Sequence, residues 1–221
     1  STATLEGRSE LAIRLAQDMA GMVDVNTMRL RPLTTLQHYW ITPVYTYVRF
    51  GKWDRVLNLE QPAEDLVYPR GVYHYARGMA YTRRGNEKAA KTELERLDEL
   101  RSDPSLEWVT VWDINKSRHI LDIASHSLAG EIAAAEGDFE VAIERLERAV
   151  EREDALYYNE PPSWYYPTRQ ALGAVLLQAS QPELAEQVYR QDLLDFPNNG
   201  WSLFGLMKAL RRQGSVQEAR E

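Results

Sequence analysis

The chain has 221 residues, 44% of them hydrophobic and 27% charged, which is the balance of a folded protein and excludes wholesale disorder. The absence of cysteine excludes disulfides, thiolate metal sites and cysteine nucleophiles, and the net charge of -7 disfavours nucleic acid as a partner. No stretch without a charged residue reaches the roughly 20 residues of a membrane helix. We therefore expect no membrane segment, no signal peptide and a cytoplasmic location.

One short pattern recurs along the chain: a glycine, followed five positions later by a small or apolar residue within an amphipathic run. In chain order the pairs are Gly7 with Ala12, Gly51 with Val56, Gly85 with Ala90, Gly137 with Ala142 and Gly214 with Ala219. Ser180 with Ala185 has the same spacing, with serine in place of glycine. Because helical stretches also precede these turns, the pattern predicts a repeated unit of helix, tight turn and helix.

Two further features of this unit lead to specific expectations. Gly78 and Gly173 lie inside helical stretches, where glycine is unfavourable by about 1 kcal/mol relative to alanine, so we expect close helix contacts there. Likewise, Ala142 is expected to contact the facing helix near Gly130. Four residues stand where a side chain would cap the second helix of a unit: Ser9, Asn86, Asp138 and Ser215.

This unit resembles the tetratricopeptide repeat, which has a period of about 34 residues. Segment 71–104 carries Gly78, Tyr81, Ala90, Leu94 and Pro104 at the positions of that pattern, and segment 166–199 carries Leu172, Gly173, Ala185, Tyr189 and Pro197. The resemblance implies an all-α, right-handed α-solenoid of degenerate repeats, with at least nine helices and no sheet. The predicted units of this single array are 1–25, 36–70, 71–104, 123–156, 166–199 and 200–221.

Longer stretches, among them EPPSWYYPTRQALGA, also resemble the C-terminal half of longer bacterial tetratricopeptide proteins. That resemblance supplies no activity, but together with the incomplete first and last units it leads us to expect that the chain is part of a longer array. Three insertions interrupt the regular spacing: 26–35, a predicted loop, 102–113 and 154–167. Insertions in such arrays often emerge on the binding face.

The 154–167 insertion carries Trp164, Tyr165 and Tyr166, and its prolines exclude a continuous helix. Leaving all three rings in water would forgo roughly 2 kcal/mol or more per ring, so at least one is expected to fold back onto the array. We hypothesise that the insertion walls one end of a concave groove. Arg169 would then be held by an acidic residue, with Glu131 and Glu160 as the candidates.

In the resembling family, the first helices of the units line a concave groove. Counted by repeat position, the lining and the insertion together give the expected site: His38, Tyr45, Arg49, Tyr75, Met79, Arg83, Glu131, Gln170, Trp164, Tyr166 and Arg169. The predicted function is a protein–protein interaction scaffold that binds a peptide or a helix in this groove. Lys and Asn are missing from the family's carboxylate-clamp positions in the complete units, which disfavours binding of chaperone tails.

Two other functions stay open at this point. One is a small-ligand or enzymatic site in the groove, closed by the 154–167 insertion, and the other is a homo-oligomer that uses the convex face. The chain has no Gly-rich phosphate loop and neither the H-E-x-x-H nor the G-x-S-x-G motif, so we expect no enzymatic activity and no cofactor.

The four histidines, His38, His74, His119 and His126, are scattered and are expected to be structural, which predicts no metal site. A metal site with Glu131 or Glu160 is the lesser alternative. Arg77 stands at an inward position of its unit, where we expect a structural ion pair or, as the alternative, an anion-binding fork.

Overall fold

The structure, a computed structural model, describes residues 2–220. These residues form twelve α-helices, four short 3-10 helices and one two-stranded hairpin. The α-helices are α1 (Thr2–Leu5), α2 (Ser9–Gly21), α3 (Thr35–Trp40), α4 (Thr42–Arg49), α5 (Trp53–Leu57), α6 (Val67–Arg83), α7 (Glu87–Leu100), α8 (Ser117–Glu136), α9 (Phe139–Asp154), α10 (Arg169–Gln178), α11 (Pro182–Asp195) and α12 (Gly200–Arg212). The 3-10 helices are Thr27–Arg29, Arg31–Leu33, Pro104–Glu107 and Glu218–Arg220.

Six turns of the same geometry join these helices in pairs. The pivot residue is a glycine with φ between 62° and 83° in five turns, and Ser180 with φ 59° in the sixth. In every turn the N–H after the pivot donates to the carbonyl five residues earlier at 2.9 Å, as Asn86 does to Tyr81. This is the hydrogen bond of a Schellman motif, which satisfies carbonyls at the end of a helix. The predicted helix–turn–helix unit is confirmed.

The capping predictions are half right. The side chains of Asn86 and Asp138 accept hydrogen bonds from the third backbone N–H after them, each at 3.2 Å. Ser9 is instead the first residue of α2, with Arg8 at the cap position. Ser215 opens no α-helix within the described residues, because the chain there forms a turn and the 3-10 helix Glu218–Arg220.

The pairs stack in chain order into a helical-repeat solenoid. The first helices α4, α6, α8, α10 and α12 contact one another in succession, and each second helix also contacts the first helix of the next pair. Glycines permit the closest approaches: a methyl group on Gly78 would lie 2.4 Å from the Leu128 side chain. A methyl group on Gly130 would lie 3.1 Å from the Ala142 carbonyl, so the expected contact between these two helices is confirmed.

Tyr189 of α11 occupies a similarly tight place. Added methyl groups on Gly173 and Gly205 would lie 2.5 Å and 2.2 Å from its ring, so the ring is held between α10 and α12. The close contact expected at Gly173 is therefore confirmed. Because Gly173 and Gly205 have no side chain, the tyrosine ring fits between the two helices.

The expectation of no sheet is wrong in one detail. β1 (Thr110–Val111) pairs antiparallel with β2 (Asn115–Lys116), within and just after the 102–113 insertion. The Thr35 hydroxyl donates to the Thr110 carbonyl at 3.2 Å and accepts from the Trp112 N–H at 2.9 Å, which fixes the hairpin on α3. The all-α solenoid is otherwise confirmed, and none of the helices in residues 2–220 has both the length and the apolar character to cross a bilayer.

Candidate functional site on the concave face

The layer of first helices presents one side to the 154–167 insertion; we call this side the concave face. Trp164 lies against it and is only 2% exposed. Its ring centroid is 5.8 Å from that of Tyr45 and 5.5 Å from that of Tyr75. Tyr165 stacks on Tyr45 at 4.5 Å, and its hydroxyl lies 2.8 Å from that of Tyr75. The prediction that at least one ring folds back onto the array is confirmed.

This packing changes what the groove offers to a partner. Tyr45, Tyr75 and Trp164 are all buried, so none of them presents an accessible surface in this conformation. Ring pairs at such distances contribute about 0.5–1.5 kcal/mol each beyond the burial of their area. The insertion therefore forms the floor of the concave face, rather than a wall around an open groove.

Asn115, at the start of β2, holds the insertion in place. Its side-chain N–H groups donate to the carbonyl of Tyr157 at 2.7 Å and to the Ser163 hydroxyl at 3.1 Å, and its side-chain oxygen accepts from the Tyr157 N–H at 2.9 Å. Sequence reasoning missed this residue. The only signal was the preceding insertion, 102–113, which gave no hint of its partner.

Met79 belongs to the packed interior, and His38 is half-buried. The Nδ1 atom of His38 lies 2.8 Å from the Tyr68 hydroxyl, and burial lowers the pKa of this histidine to about 4. It is therefore neutral near pH 7. Met79 is 4% exposed and packs in the same core. Neither side chain carries charge to the concave face.

Arg83 and Glu131 form an ion pair between α6 and α8, with an N···O distance of 2.7 Å. Burial raises the pKa of Glu131, and the charge of Arg83 opposes that shift. Gln170 at the start of α10 is also buried, and its side-chain amide opposes the rise that burial causes in the pKa of Asp192. The sequence placed all three on this face, but not the pairing.

Arg49, at the C-terminal end of α4, lies between two aromatic rings. Its guanidinium is 4.3 Å from the Trp201 ring and 5.3 Å from the Tyr166 ring. Burial lowers its pKa, the charge of Asp192 opposes that shift, and no carboxylate in residues 2–220 forms an ion-pair contact with it. The start of α12 thus reaches α4 across the aromatic floor. Trp201 was missed by sequence reasoning, although it stands 13 residues before the turn residue Gly214, as His38 stands 13 residues before Gly51.

Arg169 has a different partner from the one expected. Its guanidinium donates twice to the Asp154 carboxylate at 2.6 Å, and Asp195 lies 3.9 Å away. The expectation of Glu131 or Glu160 is wrong, because Arg169 opens α10 beside the ends of the second helices α9 and α11. Glu160 instead accepts a hydrogen bond from the Tyr158 hydroxyl at 2.9 Å.

Glu153 secures the end of the insertion. Its carboxylate accepts a hydrogen bond from the Thr168 N–H at 2.7 Å, at the entrance to α10. Burial raises the pKa of Glu153 to about 7, although the contact with Thr168 and the charge of Arg169 oppose the shift. This carboxyl therefore changes its charge near neutral pH.

Two other polar residues singled out in the sequence, Arg77 and His74, share one structural partner. Arg77 donates to Glu93 at 2.7 Å, and the Nδ1 atom of His74 lies 2.6 Å from the same carboxylate, so the expected ion pair is confirmed. The Nδ1 atom of His126 has no hydrogen-bond partner in residues 2–220. Within that range no three residues among His, Asp and Glu are grouped as metal ligands.

The comparison with protein families gives a match in the middle of the chain. Residues 72–104, which comprise most of α6 and all of α7, match the model of the tetratricopeptide repeat. The chain therefore contains a tetratricopeptide repeat, at the third of the units predicted from its sequence. A comparison with curated protein sequences gives no match.

Proposed function

We propose that this chain is a protein-interaction scaffold that binds a peptide or a helix on its concave face. Tetratricopeptide repeats generally mediate protein–protein contacts, and the chain contains one at residues 72–104. The partner is a protein, not a nucleic acid or a membrane, and the role is one of binding without catalysis. A cytoplasmic location belongs to the same proposal and rests on composition alone.

Arg49 is the observation that carries this proposal. A largely buried guanidinium without a carboxylate in contact is costly, because burial removes water that no direct ion pair replaces, and the more distant charge of Asp192 compensates this only in part. A partner with an aspartate, a glutamate or a C-terminal carboxylate would supply that charge through a two-pronged hydrogen bond. Trp201 is 43% exposed beside it and offers apolar area to the same partner. Arg, Trp and Tyr are the residue types that dominate binding energy at protein interfaces.

The floor of Tyr165 and Tyr166 gives this surface a fixed shape. Because the 154–167 insertion packs onto the first helices, the partner lies over these rings, between Arg49 and the Arg83–Glu131 pair. The same packing removes the support for a small-ligand or enzymatic site under the insertion, so we do not propose that alternative. A peptide on a preformed surface loses less conformational freedom of the receptor on binding.

The test is a peptide-display selection on the purified chain, followed by affinity measurements on the enriched peptides. We expect enriched peptides to carry an acidic residue and to bind Arg49→Ala and Trp201→Ala at least about tenfold more weakly. The matched controls are Arg211→Ala and Trp108→Ala. Arg211 is an exposed arginine in the last turn of α12, and Trp108 is an exposed tryptophan far from Trp201 in the sequence.

Three outcomes decide the matter. Losses confined to Arg49 and Trp201 support a binding surface at this place. No enrichment of any peptide, or losses equal in the control variants, refutes it. If light scattering shows a dimer that Arg49→Ala or Trp201→Ala dissociates, the partner is a second copy of the chain and the peptide assignment is wrong.

A further inference from the structure

The second helix of the α4–α5 pair is much shorter than its counterparts. α5 has 5 residues, whereas α7, α9 and α11 have 14, 16 and 14. After α5 the chain runs on as an irregular segment, 58–66, up to the start of α6. Beside α4, where the other pairs have a full helix, a cavity of about 310 Å³ remains.

Aromatic and apolar side chains form the walls of this cavity. Trp40 and Tyr47 line it from α3 and α4, Tyr73 from α6, Pro62 from segment 58–66 and Ala20 from α2. The two tyrosines are buried, so their rings belong to the fixed frame of the solenoid. The volume lies at the lower end of the range of about 300–1,000 Å³ that is typical of sites for small organic molecules.

The segment over the cavity is attached at both ends. Arg77 donates to the carbonyl of Leu57 at 3.1 Å, just before the segment begins. Near its other end, the guanidinium of Arg29 forms an ion pair with Asp65. Because both ends are fixed, the cavity exists without a ligand and need not be formed by one.

Glu60 gives the cavity its charge. It is the one charged residue among the described residues that line the cavity, and none of residues 2–220 forms an ion pair with it. Segment 58–66 also contains Glu64 and Asp65, and it has no lysine or arginine. The Gln17 amide donates to the Tyr47 hydroxyl at 2.9 Å, so these two polar groups of the lining are already paired with each other.

We propose that this cavity binds a small organic cation, in which an ammonium group is carried on an apolar or aromatic body. The body displaces water from the aromatic and proline walls, and the ammonium group meets Glu60 at the entrance. Faces of tyrosine and tryptophan rings attract cations.

This cavity shares no lining residue with the concave face, so binding here is independent of the proposed scaffold function. The test uses three probes with one ring and different charge: phenethylammonium, 2-phenylethanol and 3-phenylpropionate. Isothermal titration calorimetry and ligand-observed NMR measure their affinities for the full chain. We expect binding of phenethylammonium, weaker binding of the alcohol and none of the carboxylate.

Three variants locate the site. Glu60→Gln should weaken phenethylammonium at least about tenfold, whereas Glu64→Gln, on the same segment but outside the lining, should leave its affinity unchanged. Ala20→Phe should abolish binding of phenethylammonium and of the alcohol by filling the cavity. Circular dichroism checks that each variant is folded. The inference is overturned if wild type does not bind phenethylammonium, if the three probes bind equally, or if Glu60→Gln has no effect.

Discussion

Trp164→Ala tests whether the 154–167 insertion is packed as the structure has it. The substitution removes a ring that is 2% exposed and lies among the rings of Tyr45, Tyr75, Tyr165 and Tyr166. A tryptophan buries about 150–250 Å². At about 25 cal/mol per Å² this corresponds to roughly 4–6 kcal/mol, as an upper bound because unfolded chains are partly compact.

Substitutions of buried tryptophan or phenylalanine by alanine destabilise proteins by about 3–5 kcal/mol. We expect a loss in that range for Trp164→Ala in the free energy of unfolding. Trp164→Phe should lose less, because it keeps a ring and removes an indole N–H that has no hydrogen-bond partner in residues 2–220. Urea unfolding, followed by circular dichroism at 222 nm, gives the midpoint and the slope for each variant.

Tyr158→Ala is the matched control, because Tyr158 lies in the same insertion and is 82% exposed. Its loss should stay within about 0.5 kcal/mol. If Trp164→Ala lowers the urea midpoint no more than Tyr158→Ala does, the insertion is not packed on the concave face. The floor beneath Arg49 would then not exist, and the proposed binding surface would be lost with it.

Three other predictions concern packing and pH. Gly205→Ala should cost about 1–3 kcal/mol, because its methyl group meets the Tyr189 ring at 2.2 Å, whereas Gly200→Ala, with no atom within 4 Å, should be neutral or stabilising in urea unfolding. Ala142→Leu, at a fully buried position, should also cost about 1–3 kcal/mol, and an unchanged urea midpoint would contradict the packing of α8 on α9. The pKa of Glu153 rises from 4.5 to about 7 on folding, so its contribution to stability falls as pH rises from 4.5 to 7 and is constant above. The free energy of unfolding of Glu153→Gln, relative to that of wild type, should therefore rise by about 1–3 kcal/mol between pH 5 and pH 8. A difference that does not change with pH would refute this.

The sequence by itself determined the repeated unit, because the unit is made by local interactions. A Schellman turn closes hydrogen bonds within six residues, and glycine adopts the positive φ it needs at little cost. Even Ser180 was found by its spacing alone, and its φ of 59° matches the glycines. The buried faces of the helices follow from the same periodicity, as the contact of Ala142 with the helix of Gly130 shows.

The tertiary structure alone decided how the candidate site is built, because its contacts join residues far apart in the chain. Asn115 forms hydrogen bonds with Tyr157, Arg49 lies against the Trp201 ring, and Arg169 pairs with Asp154 at the end of another helix. No local pattern specifies such pairs, since any acidic residue near the same helix end satisfies an arginine equally well.

The 154–167 insertion shows most clearly what the sequence determines and what only the tertiary structure determines. Its prolines and its hydrophobic rings required it to leave the stack and fold back, and the sequence predicted both. Whether the rings would wall an open groove or fill it depends on the space left between the first helices. Gly71 and Gly78 let α6 and α8 approach closely. Trp164 fits against the rings of Tyr45 and Tyr75 in the space that remains. That space is a property of the packed helices, which is why only the tertiary structure determined it.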